Sequence, residues 1–309
     1  MSTPKPRRLV VVASALIDVV LDVPALPPVG GDVLATPVAR SPGGAFNVAT
    51  AAARLALPTV YAGPHGTGDN GDLLRVALEA EGIPFAYPAD DAQDTGYCIA
   101  LVDRSGERTF VTVGGADTAM SAESLAAISL DTTDAVYVSG YDLAYPLSGP
   151  VVSAFASSLP RGPLLVLDPG PMLTDVADDV WVTVCRRVDV LSWNTRETQA
   201  LPRLRELLRP EAVVVRRDGP RGAVLELPGH AAQHLPGHPV TDPVDTNGAG
   251  DVHVGAMLSA LAGGLEWSDA VDRANLAAAY ATTRRGGASG PTLAQLRAFR
   301  LRSDPARPV

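Results

Sequence analysis

The segment Asp245-Thr246-Asn247-Gly248-Ala249-Gly250-Asp251 leads into an apolar helical run that continues through Leu261. Small residues just before a helix leave their backbone N–H groups uncovered, and the positive end of the helix dipole lies at the same place. The segment therefore predicts a site that favours an anion. Asp251 enters the helix beside these donors, where a carboxylate can take a proton from a hydroxyl that attacks a phosphoryl group. By itself, the pattern is equally typical of a tight turn with a capping aspartate.

A second glycine-rich segment lies near the N-terminus, Gly43-Gly44-Ala45-Phe46-Asn47-Val48-Ala49. Together the two segments resemble the two signatures of the ribokinase-like (PfkB family) carbohydrate kinases, Asp-Thr-x-Gly-Ala-Gly-Asp before a small-residue helix and Gly-Gly-(x)-small-x-Asn-x-Ala. The resemblance extends over nearly the whole chain, from the first strand to the last helices. It implies ATP-dependent phosphorylation of a hydroxyl, expected to be a primary one, on a sugar or sugar-like acceptor, with ATP and Mg²⁺ as cofactors.

Short β-rich runs alternate with helix-length amphipathic segments along most of the chain. This alternation predicts an α/β fold with a mostly parallel central sheet that helices cover on both faces. The resemblance implies the ribokinase-like three-layer α/β/α sandwich with a small β-sheet lid. Core strands are expected at residues 9–13, 59–62, 135–138, 164–167, 188–192 and 212–215. Helices are expected at residues 45–55, 72–81, 121–128, 146–156, 203–208, 250–262, 268–283 and 293–300.

Two stretches interrupt this alternation. Residues 19–40 are rich in Pro and Gly, and residues 96–113 alternate around a turn at residues 104–107 like a hairpin. We expect them to pair as a small sheet outside the main layer, and the resemblance matches them to a lid that covers the acceptor and excludes water. Lids of this family often pair into homodimers. The expected organisation is a disordered tail at 1–8, one kinase domain at 9–301 with the lid segments inserted, and a C-terminal tail at 302–309.

The composition excludes several classes of partner. The 309 residues are 46% hydrophobic and 19% charged, which is typical of a globular protein. The formal net charge of −9 and the pI near 5.0 argue against nucleic-acid or anionic-membrane partners, because phosphate groups favour clustered cations. No stretch has the pattern of a signal peptide or a membrane span. Cys98 and Cys185 lie far apart, which indicates a reducing compartment, so the protein is expected to be cytoplasmic.

The chain contains one lysine, Lys5, in a proline-rich N-terminal segment. Schiff-base enzymes, P-loop NTPases and protein kinases each need a lysine at the reacting centre. These three classes are therefore excluded.

The resemblance assigns roles to residues that match the family motifs. Asp251 is implied as the catalytic base, and Gly248, Ala249 and Gly250 as the anion hole that stabilises charge on the transferring phosphate. Asp18 is implied to hold acceptor hydroxyls, since one carboxylate can accept from both hydroxyls of a diol. The other residues expected at the acceptor are Gly43, Gly44, Asn47 and Tyr141.

The resemblance also implies nucleotide and metal contacts. Glu197 would organise Mg²⁺ through water, and the residues expected at the nucleotide are Asn194, Arg217, Gly219, Gly222 and Asn275. A potassium ion is a further expectation from some relatives, with ligands at Asp245, Asn247, Arg285 and Gly287. The chain departs from ribokinase itself in lacking a lysine in the Gly-Gly motif and in having Leu16 two residues before Asp18. Phe46 and Tyr141 could offer apolar surface to a furanose, a keto sugar or a nucleobase, and packing in the core is an equal alternative for both.

Three alternatives remain open at this point. A nucleoside kinase of the same fold is one. Gly66-Thr67-Gly68-Asp69-Asn70-Gly71, with Asp90 downstream, fits the dinucleotide-binding pattern of an oxidoreductase. A ligand sensor that lost turnover is the non-enzyme alternative, although it would need neither Asp251 nor Glu197. A metal site at His230, His234 and His238 is not expected, because Pro236 and the glycines beside them prevent one helix from presenting all three.

Overall fold

A computed structural model describes residues 3–303. Residues 1 and 2 of the predicted N-terminal tail and residues 304–309 of the predicted C-terminal tail lie outside the described part. The first strand begins at Arg8 and the last helix continues to Ser303, so regular structure extends slightly past both ends of the predicted domain. Within the described residues, none of the helices has the length and apolar character of a membrane span.

The strands follow each other along the chain in three sheets. They are β1 (Arg8–Val12), β2 (Ile17–Asp22), β3 (Thr36–Pro42), β4 (Thr59–Tyr61), β5 (His65–Gly66), β6 (Ala89–Asp90), β7 (Tyr97–Val102), β8 (Arg108–Val113), β9 (Asp134–Ser139), β10 (Leu164–Asp168), β11 (Val190–Asn194), β12 (Val213–Arg217), β13 (Gly222–Glu226) and β14 (Gln233–Pro236).

The helices connect these strands. They are α1 (Ala45–Arg54), α2 (Asp69–Ala80), α3 (Ala122–Ala126), α4 (Gly140–Ala144), α5 (Ser148–Ser158), α6 (Asp178–Cys185), α7 (Thr195–Ala200), α8 (Leu204–Leu207), α9 (Ala249–Ala262), α10 (Trp267–Thr282) and α11 (Leu293–Ser303).

The main sheet has eight strands in the order β14-β13-β12-β11-β10-β9-β1-β4. Neighbouring strands from β12 to β4 are parallel, whereas β13 and β14 add an antiparallel edge. Side chains alternate between the faces of each strand. Leu9 and Val11 therefore face one hydrophobic core, with α1, α2, α9 and α10, while Val10 and Val12 face another, with α3, α5 and α6. This confirms the predicted three-layer α/β/α sandwich.

The lid is a separate four-stranded sheet in the order β3-β2-β7-β8. Its central pair, β2 and β7, is parallel and joins the two predicted lid segments, with Asp18 opposite Cys98. The hairpin predicted at residues 96–113 is present as β7 and β8. Because β2 begins at Ile17, Asp18 lies within the lid and not in the turn before it.

Three helices were not predicted, α4, α6 and α7. The sequence of α6, DDVWVTVC, alternates and is rich in β-branched residues, which favour strands. In the structure Trp181 and Val184 are fully buried against the second core, and Trp181 Nε1 donates to the Leu173 carbonyl at 3.0 Å. Tertiary packing therefore overrides the local preference for a strand.

Candidate active site

The carboxyl ends of the parallel strands carry several of the predicted site residues. Asn194 ends β11 and Arg217 ends β12. Asp168, which was not predicted as a site residue, ends β10, the strand between β11 and β9. The ends of parallel strands share one edge of a sheet, where ligands bind in open α/β folds. Arg217 Nη1 donates to the Gly250 carbonyl at 3.1 Å, so this edge meets the first turn of α9.

The predicted anion hole forms the beginning of α9. Its N-cap, Gly248, is left-handed with a φ of 69°, and a Cβ there would overlap the Gly287 backbone. Only glycine allows this close approach. No described side chain caps this end, and Gly248, Ala249 and Gly250 are all partly exposed. The positive end of a 14-residue helix is therefore accessible to an anion.

Asp251 lies in the first turn of α9 and is linked to the second motif. Asn47 Nδ2 donates to Asp251 Oδ2 at 2.9 Å. Burial raises the pKa of Asp251 to about 7; the negative charges of Asp168 and Asp18 also raise it, and the bond from Asn47 and the charge of Arg217 oppose the rise. A carboxylate with a pKa near neutrality can take and release a proton at ordinary pH.

Arg217 is buried at the centre of this edge. Its Nη1 forms a salt bridge of 2.7 Å with Asp168 Oδ2, and its Nη2 lies 3.7 Å from Glu197 Oε2. These two carboxylates and Asp251 raise the pKa of the guanidinium further above its usual value, although burial opposes them. Arg217 was predicted at the nucleotide, and the structure shows that it also contacts Asp168 on β10 and the Gly250 carbonyl of the predicted anion hole.

Glu197 and Asn194 form a capping box at the start of α7. The Asn194 backbone N–H donates to Glu197 Oε2 at 2.7 Å, and Asn194 Nδ2 donates to Glu197 Oε1 at 2.6 Å. Burial raises the pKa of Glu197 to about 7, and the charge of Asp168 adds to the rise. Glu197 is buried, with 5% exposure.

Asp18 faces the same edge from the lid. Burial raises its pKa to about 6. A Cβ on Gly43 would overlap the Asp18 carboxylate, and Gly44 at φ 60° approaches the Ser14 carbonyl. Both glycines are therefore needed to place the first turn of α1 against this carboxylate. Of the two positions open to Phe46, the site or the core, the structure shows the core, where Phe46 packs with 6% exposure.

Tyr141 lies between the lid and the strand ends. It is 39% exposed, and its ring is in van der Waals range of a Cβ built on Gly170. Burial is the main cause that raises its pKa, with contributions from the charges of Asp251 and Asp18. A partly exposed aromatic ring beside two carboxylates provides an apolar surface for a sugar or a base.

Hydrogen bonds to two buried side chains fix the turn between β1 and the lid. The Ser14 N–H donates to both oxygens of Asp142, at 3.1 and 3.2 Å, and the Ala15 N–H donates to the Tyr61 hydroxyl at 3.0 Å. Asp142 is fully buried, and burial raises its pKa to about 7. It was not predicted from the sequence. These contacts orient the chain that carries Asp18.

The remaining predicted nucleotide residues lie on two elements. Gly219 and Gly222 flank a 3₁₀ turn after β12, both with positive φ. Asn275 is buried in α10; its Nδ2 donates to the carbonyls of Leu235 and Pro236, and its Oδ1 lies 3.1 Å from His253 Nε2. The Asn275 amide is thus already hydrogen-bonded within the fold, and its expected contact with the nucleotide stays a prediction.

The residues predicted for potassium converge around Asp245, together with an unpredicted arginine. Asp245 Oδ1 accepts from the Asn247 N–H at 2.8 Å and from Nη2 of the lid residue Arg108 at 2.5 Å, and Oδ2 accepts from the Gly286 N–H at 3.1 Å. Gly287 lies against Gly248, and Arg285 is exposed. Because Arg108 already neutralises this carboxylate, the arrangement does not fit a cation held by Asp245.

The glycine-rich turn at residues 66–71 is filled by a side chain of the protein itself. Asp94 accepts from the backbone N–H groups of Asn70, Gly71 and Thr95, at 2.7 to 3.0 Å. A pyrophosphate would need two of these donors, the Asn70 and Gly71 N–H groups in the first turn of α2. The alternative of a dinucleotide-binding oxidoreductase is therefore wrong.

The carboxylates around Arg217 decide whether the site could hold Mg²⁺. Three of them, on Asp168, Glu197 and Asp251, share one buried guanidinium, and the charge of Asp168 adds to burial in raising the pKa of the other two. Within residues 3–303 no group of three or more His, Cys, Asp or Glu side chains could hold a metal by itself. Mg²⁺ keeps several waters and shares phosphate oxygens, so a single buried carboxylate such as Glu197 is enough to hold it through water. The residues present fit a nucleotide-bound Mg²⁺.

Comparisons with known proteins show which family the chain belongs to. The model of the pfkB family of carbohydrate kinases matches residues 6–293. The chain is 32% identical over 306 residues to an uncharacterized sugar kinase, YegV, of Escherichia coli K12, with 94% of this chain and 93% of that protein covered. It is 28% identical over 294 residues to a fructokinase of Vibrio alginolyticus, with 85% and 93% covered.

Solved structures show the same architecture. Ribokinase from Thermotoga maritima has a TM-score of 0.79 at 25% identity, with 94% of this chain and 98% of that chain covered. Fructokinase from Vibrio cholerae O395, with fructose, ADP and calcium bound, has a TM-score of 0.73 at 25% identity, with 95% and 99% covered. The fold and the site thus define an ATP-dependent kinase with an alcohol group as acceptor. The chain belongs to the pfkB family of carbohydrate kinases, which confirms the resemblance.

Proposed function

We propose that the protein transfers the γ-phosphoryl group of ATP to a hydroxyl of a sugar or sugar-like acceptor, expected to be a primary hydroxyl, with Asp251 as the general base. The observation that carries this proposal is the position of Asp251. Its carboxylate lies in the first turn of α9, next to Gly248, Ala249 and Gly250, and burial raises its pKa to about 7.

In the proposed step, the acceptor oxygen attacks the γ-phosphorus, its proton passes to Asp251 and the bond from phosphorus to the ADP oxygen breaks. The N–H groups at the start of α9 would stabilise the negative charge on the transferring group. Asn47 would hold the carboxylate of Asp251 in place through its 2.9 Å hydrogen bond. Mg²⁺ bound with the nucleotide would neutralise phosphate charge, and Glu197 is proposed to orient its waters.

Asp18 is proposed to select the acceptor. Its raised pKa, about 6, reflects a carboxylate removed from water, and two hydroxyls of a diol would replace the lost hydration. Asn47, Gly43 and Gly44 support the same pocket from α1. The lid strand that carries Asp18 would exclude water from the reacting phosphate.

A nucleoside acceptor is the second candidate. The observation that favours it is Tyr141, whose ring is 39% exposed beside Asp18 and Asp251. An exposed ring at this place could stack on a nucleobase. A free sugar would instead leave most of that surface uncovered.

The lid is also proposed to form a homodimer. Large apolar side chains are exposed on it, at Val29 (108%), Leu34 (94%) and Phe110 (55%), with Val111 and Val113 beside them. Exposed apolar groups in one region of a protein mark an interaction surface. A second copy of the same lid would cover them with matching apolar groups.

The experiment is to measure ADP release from ATP-Mg with ribose, fructose, 2-keto-3-deoxygluconate, adenosine and pseudouridine. One acceptor should stimulate release in the wild type, and Asp251→Asn should lose that stimulation by about a hundredfold or more. Asp175→Asn, at an exposed position outside the site, is the matched control and should keep it. Equal stimulation in wild type and Asp251→Asn would refute the proposed base. Stimulation by a nucleoside alone would favour the second candidate.

A further inference from the structure

A second cleft lies at the opposite end of the sheet. It has a volume of about 620 Å³ and is lined by the segment before β1, by the C-terminal ends of α1 and α9, and by α10 and α11. Asp251 and Ala262 are separated by eleven residues of α9, which is about 16 Å along the helix. The cleft therefore cannot be part of the pocket around Asp251.

The polar lining of this cleft is almost entirely cationic. Lys5, Arg7, Arg273 and Arg297 line it, and no acidic residue does. This is unusual for a chain with a formal net charge of −9. Four cations around one concave surface create a local positive potential that attracts anions.

Three of the four cations lack an ion-pair partner among the described residues, whereas the charge of Arg7 acts on Asp131. In the part of the chain that the structure describes, neither Lys5, Arg273 nor Arg297 forms a salt bridge or a side-chain hydrogen bond. The nearest acidic influence on Arg273 is Asp269, one turn earlier in α10. Burial lowers the pKa of Arg273, and the positive charges of Arg300 and Arg297 lower it further. A bound anion would relieve this repulsion.

The rest of the lining is apolar apart from Ser259. Leu55, Leu57, Pro58 and Leu293 face the cleft. Ser259, which also lines it, donates from Oγ to the Leu55 carbonyl at 2.5 Å and so joins α9 to the end of α1. An inorganic ion alone would leave the apolar wall uncovered, whereas a ligand with both phosphate and an apolar body would use both parts.

We propose that this cleft binds a small phosphorylated metabolite that carries at least two negative charges and an apolar portion. Its phosphate would lie between Lys5, Arg273 and Arg297, and its apolar portion would contact Leu55 and Leu293. Arginine suits this role because its planar fork can bind a phosphate with two hydrogen bonds. The cleft has the volume of an ordinary small-molecule site.

The test is titration calorimetry with inorganic pyrophosphate, without ATP or acceptor, so its result does not depend on the proposed kinase mechanism. The cleft variant is Lys5→Glu/Arg297→Glu, at two exposed positions, which should leave the fold intact. The control is Arg161→Glu/Arg186→Glu, also at exposed positions and with the same net charge. Circular dichroism and the thermal midpoint verify folding of both variants.

The wild type and the control should bind pyrophosphate equally, and the cleft variant should bind at least about tenfold more weakly, as expected for the loss of charge-assisted hydrogen bonds. Any binding at the start of α9 would remain in all three proteins. Equal affinity and stoichiometry in the cleft variant and the control, or absence of binding to the wild type, would overturn the proposal. Phenyl phosphate should bind more tightly than inorganic phosphate, because its ring would contact the apolar wall. Equal affinities would contradict the proposed contact of the ligand with Leu55 and Leu293.

Discussion

Replacing Asn47 by leucine should move the acidic limb of the pH profile of kcat towards higher pH. The wild-type base must be ionised, and burial raises the pKa of Asp251 to about 7. Activity is therefore expected at pH values above this pKa and is lost as the pH falls through about 7. The hydrogen bond from Asn47 Nδ2 to Asp251 Oδ2 stabilises the ionised form, so its loss makes ionisation harder.

The size of the shift follows from the 2.9 Å bond. A hydrogen bond to a charged group contributes about 1.5–3 kcal/mol, and one pKa unit corresponds to about 1.4 kcal/mol. Asp251 is partly exposed, so the lower end applies and the limb should move by about one pH unit. Leucine cannot donate a hydrogen bond to Asp251 as Asn47 does, and it adds no titratable group of its own to the pH profile.

The assay is the pH dependence of kcat at saturating ATP-Mg and acceptor, which separates the ionisation from weaker acceptor binding in the variant. Thr50→Val is the matched control. Among residues 3–303, the bonds of Thr50 Oγ1 go only to the backbone carbonyls of Phe46 and Asn47 in the same helix, so its variant should keep the wild-type limb. An unchanged or downward limb in Asn47→Leu would refute the role assigned to this bond.

Four further predictions concern other parts of the molecule. Arg217→Met should destabilise the protein by about 3–5 kcal/mol in guanidinium unfolding, because it leaves buried carboxylates without a countercharge. Arg217→Lys should lose less stability. Equal stability of Arg217→Met and the wild type would contradict the role of Arg217 as this countercharge. Wild-type activity should be the same in sodium and potassium buffers, whereas Arg108→Ala should become potassium-stimulated if the guanidinium takes the place of a cation; stimulation of the wild type itself would disprove this. Phe110→Asp should shift sedimentation from dimer to monomer, and a monomeric wild type would exclude the lid interface. Burial raises the pKa of Asp251, so its ionised form destabilises the native state. This destabilisation is absent below about pH 4, where the carboxyl is protonated in both states, and complete above about pH 7. Asp251→Asn should therefore raise Tm at about pH 8, and the difference in Tm should vanish below about pH 4.

Much of the site could be predicted because its motifs are local. The motif consists of four adjacent residues, Gly248, Ala249, Gly250 and Asp251. A glycine just before an apolar helix indicates a tight turn with uncovered N–H groups. The lid segments were also predictable, because strand alternation and a turn are local signals. Their pairing through β2 and β7 agreed with expectation.

Asp168, Asp142 and Arg108 could not be assigned from the sequence. Asp168 follows a buried strand, which is a signal in principle, but a carboxylate after a strand is more often a simple turn residue. Its role depends on β10 and β12 standing two strands apart in one sheet, which brings Arg217 to it across 49 positions of sequence. Arg108 meets Asp245 across 137 positions, and only the placement of the lid decides that contact.

The sequence by itself determined the layered α/β fold, because hydrophobic alternation and turns act over a few residues. The resemblance of its two glycine-rich segments to the pfkB family gave the class of enzyme and the proposed base, Asp251. The tertiary structure alone decided which charges neighbour each other. Arg217 with its carboxylates, Arg108 with Asp245, and the cationic cleft around Arg273 and Arg297 all depend on long-range packing. Electrostatic energies vary with distance and burial, and neither quantity can be read from the order of residues.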